Sequence, residues 1–144
     1  MVAGLLRVML RRNFASVERG EIDKALAIFS DDCRFTFPGA HSFAAVDFNK
    51  SQLRGWLVRL AALHPRFEVG EVYVNGPPWN QRIAFQLSDE IRAPDGFVYR
   101  NQIVECARTR WGRIKSLRVF LDTQAIAELE QHLAATATPA SGAS

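Results

Sequence analysis

Cysteine is scarce in this chain. Cys33 and Cys106 are the only two in 144 residues, with no CxxC pair and no cluster with the three histidines. That argues against a disulfide scaffold and against zinc, and the expected setting is a reducing cytoplasm. Long apolar runs are missing too. None approaches the ~20 residues of a membrane-spanning helix, so no membrane partner is expected. Acid is absent from the start: MVAGLLRVMLRRNFASVERG carries arginines but no carboxylate before Glu18. A targeting peptide shows that bias, but here the apolar stretch is short and arginines interrupt and follow it. No small-residue cleavage site is evident. Val2, Leu5, Leu6 and Met9 recur at helical spacing, so the segment reads as an amphipathic helix of the fold.

What is present is the composition of an ordinary globule, 48% hydrophobic and 23% charged. The length suits one domain, residues 1–135, and the small, polar residues 136–144 read as a disordered tail. Net charge is +3, and Arg108, Arg110, Arg113, Lys115 and Arg118 gather around one hairpin. No known nucleic-acid motif accompanies them. They read as a solvated outer face, and no nucleic-acid partner is expected.

A first helix over about 2–18 ends near "ERGE", and a second opens near Glu21 with Ile22, Ala25, Leu26 and Phe29 on one face. "CRFTF" is a short strand stopped by Pro38-Gly39, and "HSFAAVDFN" is irregular. Asn49 or Ser51 caps a helix whose stripe is Leu53, Trp56, Leu57, Leu60 and Ala61, ended by Pro65. Strands follow in "RFEVGEVYVNG", "QRIAFQLSDEI", "FVYRNQIVECARTR" and "RIKSLRVFL", with an Asp95-Gly96 turn and a hairpin around Trp111-Gly112. Asp122 caps a last helix. Helices first and consecutive strands after them predict an α+β fold. The expected architecture is a cone, with three helices covering the concave face of a strongly curved antiparallel, in part mixed, sheet. A small-molecule pocket forms at its open end.

This order, with "RGEIDKALAIFSDDCRFTFPG" after the first helix and "YRNQIVECARTRWGRIKSLRVFLD" near the end, resembles the nuclear transport factor 2-like superfamily. The resemblance points to its SnoaL-like and ketosteroid-isomerase-like branch and covers roughly residues 4 to 134. It implies homodimers packed through the outer sheet face and an apolar ligand in the cone. Members include isomerases, epoxide hydrolases, dehydratases and polyketide cyclases, and also binding modules without chemistry. The isomerase tyrosine position falls on or beside Asn13, the base position on Phe37, and the inner-face acid on Glu105. The epoxide-hydrolase Asp and Arg positions fall near Ser88 and Gln86, and the other Asp on Val119. Neither catalytic set is complete. SnoaL-like cyclases use a single carboxylate, with no metal and no cofactor, and the sequence contradicts that pattern least.

Glu105 is the central candidate. It shares a strand face with Asn101, Ile103 and Ala107, because side chains alternate with a period of two. A carboxyl there is either paired in a structural network or held neutral for acid–base work. His41, after Pro38-Gly39 at the expected mouth, is the second catalytic candidate. Asn13, Phe35, Phe37, Trp56, Gln86, Ser88, Asn101 and Val119 are the expected ligand contacts, with Gln86, Ser88 and Asn101 as inner-face hydrogen-bonding groups. Trp79 either closes the pocket or joins a dimer contact. The expected partners are a small hydrophobic molecule and a second copy of the chain. That copy packs on Gln102, Val104 and Cys106, flanked by Arg100 and Arg108. Two functions remain open: a cofactor-free cyclase, isomerase or dehydratase, or a non-catalytic ligand-binding or dimerisation module.

Overall fold

The first helix, α1, spans Ala3–Glu18. It buries Leu6, Leu10 and Val17, a stripe at intervals of four and seven. This moves the apolar face away from the expected one, since Val2 and Leu5 are exposed. The helix ends in a Schellman turn: Gly20, at φ 73°, donates to the Val17 carbonyl (3.0 Å) and Glu21 to that of Ser16 (2.8 Å). The expected second helix shrinks to α2, Ile22–Leu26. Phe29, placed on its face by periodicity, instead opens β1 (Phe29–Phe37). β-Branched and aromatic residues at alternating positions let strand pairing win there.

The segment read as irregular contains an edge strand, β2 (Ala45–Phe48). Helix α3 (Lys50–Ala61) follows, capped by Asn49, whose side chain accepts from the Gln52 amide while Gln52 reaches back to the Asn49 amide. Four strands then run as a meander: β3 (Arg66–Asn75), β4 (Gln81–Arg92), β5 (Val98–Arg110) and β6 (Arg113–Leu121). Helix α4 (Thr123–Ala137) follows the last strand. This is a computed structural model that describes residues 2–137. The expected tail thus lies outside the described residues except for Thr136 and Ala137, whose backbone continues α4.

The six strands form one sheet in the order β2-β1-β6-β5-β4-β3. Only β1 and β6 pair in parallel; every other pair is antiparallel. The sheet curves around the helices as a cone, with α1 against β3, α3 against β1 and α4 against β5. Three helices thus cover the sheet as expected, α1, α3 and α4, while the short α2 packs against α1 and α3.

The β5–β6 turn is the tightest part of the meander. Trp111 and Gly112 both have positive φ, 50° and 78°. Two such residues between paired Arg110 and Arg113 make a type I′ hairpin, whose twist matches that of the strands. A tryptophan in the left-handed region is strained by on the order of 1–3 kcal/mol.

Candidate active site

Between the helices and the concave face lies a cavity of about 90 Å³. Its walls are almost entirely apolar. Phe35, Phe37 and Trp56 form one side, with Trp56 ring centroids 4.8 Å from Phe35 and 5.1 Å from Phe37. The indole N–H of Trp56 donates to the Phe43 carbonyl at 2.8 Å, so this wall offers a ligand no free donor. Val119 and Asn13 also line the cavity, and the Asn13 amide donates to the Ala25 carbonyl at 2.8 Å.

Glu105 points into this cavity and is 5% exposed. The register explains why. It stands opposite Phe85 on β4 and Val119 on β6, with buried Ile103 and Ala107 on either side along β5. The one register slip between β5 and β6 falls between Arg108 and Thr109, past Glu105, so parity holds along this stretch. Burial raises the carboxyl to about 8, and the charge of Asp89 adds to the shift. Among the described residues no Lys, Arg or His lines the cavity. The neutral form of Glu105 is favoured.

Asp89 is the second carboxyl in the wall, and sequence reading passed over it. It is 9% exposed and stands opposite Asn101. Burial raises it to about 7, opposed by a hydrogen bond with Tyr99 and by backbone hydrogen bonding. The two carboxyls are coupled, so ionising either one makes it harder to ionise the other. One oxygen of Asp89, Oδ1, is buried without a hydrogen-bond partner among the described residues. Its Tyr99 neighbour is held in place by Asn101, whose Nδ2 donates to the Tyr99 hydroxyl and to the Asp122 carbonyl, each at 2.9 Å. Asn101 Oδ1 accepts from the Asp122 amide at 3.2 Å. The Asp122 carboxylate in turn caps α4 through the amides of Gln124 and Ala125. Thus the start of α4, Asn101, Tyr99 and Asp89 form one hydrogen-bonded chain ending at the cavity. Burial and the nearby Asp89 charge raise the Tyr99 hydroxyl, which stays a donor at all ordinary pH.

Three expected site residues lie elsewhere. Gln86 and Ser88 are on the outer face of the sheet, opposite Val104 and Gln102. The apolar parity of β4 is odd: Ile83, Phe85, Leu87 and Ile91 are buried, and Asp89 belongs with them. That alternation was visible in "QRIAFQLSDEI", and it would have found Asp89 in place of Gln86 and Ser88. His41 is a staple of its own loop. Its Nε2 donates to the Pro38 carbonyl at 2.9 Å and its Nδ1 accepts from the Phe43 amide at 3.1 Å, the tautomer those two partners require. The ring meets the back of Phe37 edge-on, with centroids 5.7 Å apart, and does not line the cavity. Asn101 is buried on the inner face as expected, but its amide is spent on Tyr99 and Asp122 and it positions the site without lining it. No group of three or more His, Cys, Asp or Glu suited to a metal occurs among the described residues.

No family model matches the chain, and no curated protein matches it in sequence. Solved structures do match in shape. An NTF2-like protein of unknown function from Burkholderia pseudomallei superposes with TM-score 0.74 at 18% identity, covering 90% of this chain and 98% of its own. The pinacolase BvnE from Penicillium brevicompactum gives TM-score 0.71 at 17% identity, covering 92% and 96%. TerC, co-crystallised with polyporic acid, gives TM-score 0.73 at 16% identity, covering 90% and 99%. With the cone, the mixed six-stranded sheet and the inward carboxyls already in place, these likenesses identify the architecture: the chain has the nuclear transport factor 2-like fold.

Proposed function

We propose that this protein is a cofactor-free enzyme of the isomerase, cyclase or lyase type, acting on a compact, hydrophobic, oxygenated molecule. One observation carries the reading: two carboxyls share an otherwise apolar cavity, where burial raises the proton affinity of both. Two coupled carboxyls in one cavity can divide the acid and base roles between them. Asp89, whose anion is supported by the hydrogen bond with Tyr99, is the base that takes a proton from carbon or hydroxyl. Glu105, buried with no such partner, is the acid that donates to a developing enolate or leaving oxygen. Asp89 stands opposite Asn101, four residues from Glu105 on β5. At ~3.3 Å per residue that is roughly 13 Å of backbone, so the two carboxyls enter the cavity wall from separate points. That a pinacolase shares the fold agrees with this chemistry.

The test needs no knowledge of the natural substrate. A panel of cyclic enones and hydroxyketones is incubated with the protein in D₂O and proton exchange next to the carbonyl is followed by NMR. Wild type should catalyse exchange, and Glu105→Gln or Asp89→Asn should slow it by about a hundredfold to ten-thousandfold. Exchange by wild type that both variants retain in full would remove these carboxyls from the mechanism.

A second reading is a non-catalytic ligand-binding or dimerisation module of the same fold, and the small cavity volume, about 90 Å³, favours the dimerisation form of it. Binding of the same probes without exchange would select a ligand-binding module, and neither binding nor exchange a dimerisation module. In either case we propose a homodimer through the outer sheet face. The exposed Val104 and Phe120, directly paired across β5 and β6, support this as an apolar centre, with Gln102, Cys106, Arg100 and Arg108 around it.

A further inference from the structure

One end of the molecule collects positive charge that sequence spacing had kept apart. In strand register, Arg82 stands directly opposite Arg108, and Arg110 opposite Arg113. Ser116, the other neighbour of Arg108, stands opposite Arg34, and Arg118 follows two residues along β6. All six arginines are exposed, and none forms an ion pair among the described residues. The nearest acid in this register, Asp32, is already held by Lys115 and Ser30. Like charges placed directly opposite each other across a ladder repel. An anionic surface would relieve that repulsion.

Large apolar groups stand beside this charge. Trp79, in the β3–β4 loop, is 55% exposed and Trp111, at the β5–β6 turn, is 74% exposed, with ring centroids 6.1 Å apart. Gly112, next to Trp111, shares a small internal gap with Leu6, Met9 and Leu10 of α1. Leu6 of α1 therefore lies close to this turn, and Val2 and Leu5 in the first turns of that helix are exposed.

We propose that this end docks on an anionic phospholipid surface. Arg110 and Arg113, which flank the turn beyond the outer-face patch proposed for the dimer, complement negative headgroups. Tryptophan prefers the headgroup boundary, and the aliphatic residues of α1 reach the acyl region below it. Those aliphatics also decide against nucleic acid, where bases stack on aromatic rings and an aliphatic stripe has no partner. No described helix is long and apolar enough to span a membrane, so the contact is peripheral, with a basic patch and an apolar insert as its two signals. The absence of a spanning run, on which the sequence-based expectation of no membrane partner rested, does not bear on docking of this kind.

The full chain is to be sedimented with vesicles of phosphatidylglycerol in phosphatidylcholine and with vesicles of phosphatidylcholine alone. Binding only to the anionic vesicles, weakened by salt, is the expected result, with a blue shift of tryptophan fluorescence. Arg110→Gln with Arg113→Gln should weaken partitioning roughly twenty-five-fold, about fivefold per charge. Trp111→Asn restores the residue that a type I′ turn favours, so it keeps the fold while removing the indole, and it should also weaken binding. Thermal unfolding establishes that each variant is folded. Equal binding to both vesicle types, no binding by the folded wild type, or binding unchanged in both variants overturns the proposal. So does tighter binding to a single-stranded oligonucleotide at the same ionic strength.

Discussion

Glu105 and Asp89 contribute to stability with a sign opposite to that of paired surface carboxylates. Their folded proton affinities, about 8 and about 7, lie above the ordinary values of 4.5 and 3.8. The native state therefore holds protons that the unfolded chain releases, and stability falls as pH rises from about 4 towards 8. Each such group costs about 1.4 kcal/mol per pH unit while its two states differ by a full proton. Urea midpoints measured at pH 5, 6, 7 and 8 should decline steadily for wild type. In Glu105→Leu the decline should be roughly halved, and the variant should be more stable than wild type at pH 8, since a buried acid without a partner is removed. A strong loss of stability in Glu105→Leu would mean that the carboxyl belongs to a paired network. Parity alone places Glu105 inside. That no Lys, Arg or His among the described residues lines its cavity could not be read from the chain, because partners on other strands are set only by register.

Among the elements, α4 and β5 are joined through one side chain. Asn101 holds the Tyr99 hydroxyl and both backbone groups of Asp122. Asn101→Leu leaves these groups unpartnered and should destabilise the fold by about 1–3 kcal/mol per orphaned group. It should also shift the pH profile of any proton exchange, because Tyr99 loses the bond that sets its direction towards Asp89. Rescue of that profile by Asn101→Gln would show that the amide matters more than its reach. Asp122 was legible as a helix cap from its position before an apolar periodic stretch, whereas its backbone tie to Asn101 was not. The β5–β6 turn carries the opposite lesson. Gly112 fits the turn, but Trp111 does not, and Trp111→Asn should raise stability by about 1 kcal/mol in thermal or urea unfolding. A turn residue that breaks the local rule marks a surface selected for something other than stability.

Across the whole molecule, the two faces of the sheet do different work. The concave face closes the cavity with odd-numbered residues of β4 and β5, and the convex face leaves Val104, Phe120 and Tyr73 in solvent. Light scattering at micromolar concentration should give the mass of a dimer, and Val104→Arg should shift it towards the monomer. A monomeric wild type would refer these exposed side chains to another partner.

Local patterns in the chain were enough for the α+β class, the order of the helices and the four-stranded meander, and the inward side of Glu105. Those follow from local periodicity, turn residues and caps, which act over a few neighbours. Errors arose where tertiary contacts overrode a local pattern. β2 forms because β1 offers it an edge, α2 is short because Phe29 pairs into the sheet beside Ile114, and α1 is rotated so that Leu6, Leu10 and Val17 turn inward. Only the folded sheet decided that Asp89, Tyr99 and Glu105 share one cavity, that His41 serves its own loop, and that distant arginines and tryptophans meet at one end. Strand register makes neighbours of residues far apart in the chain, and no pattern of near neighbours encodes which residues those will be.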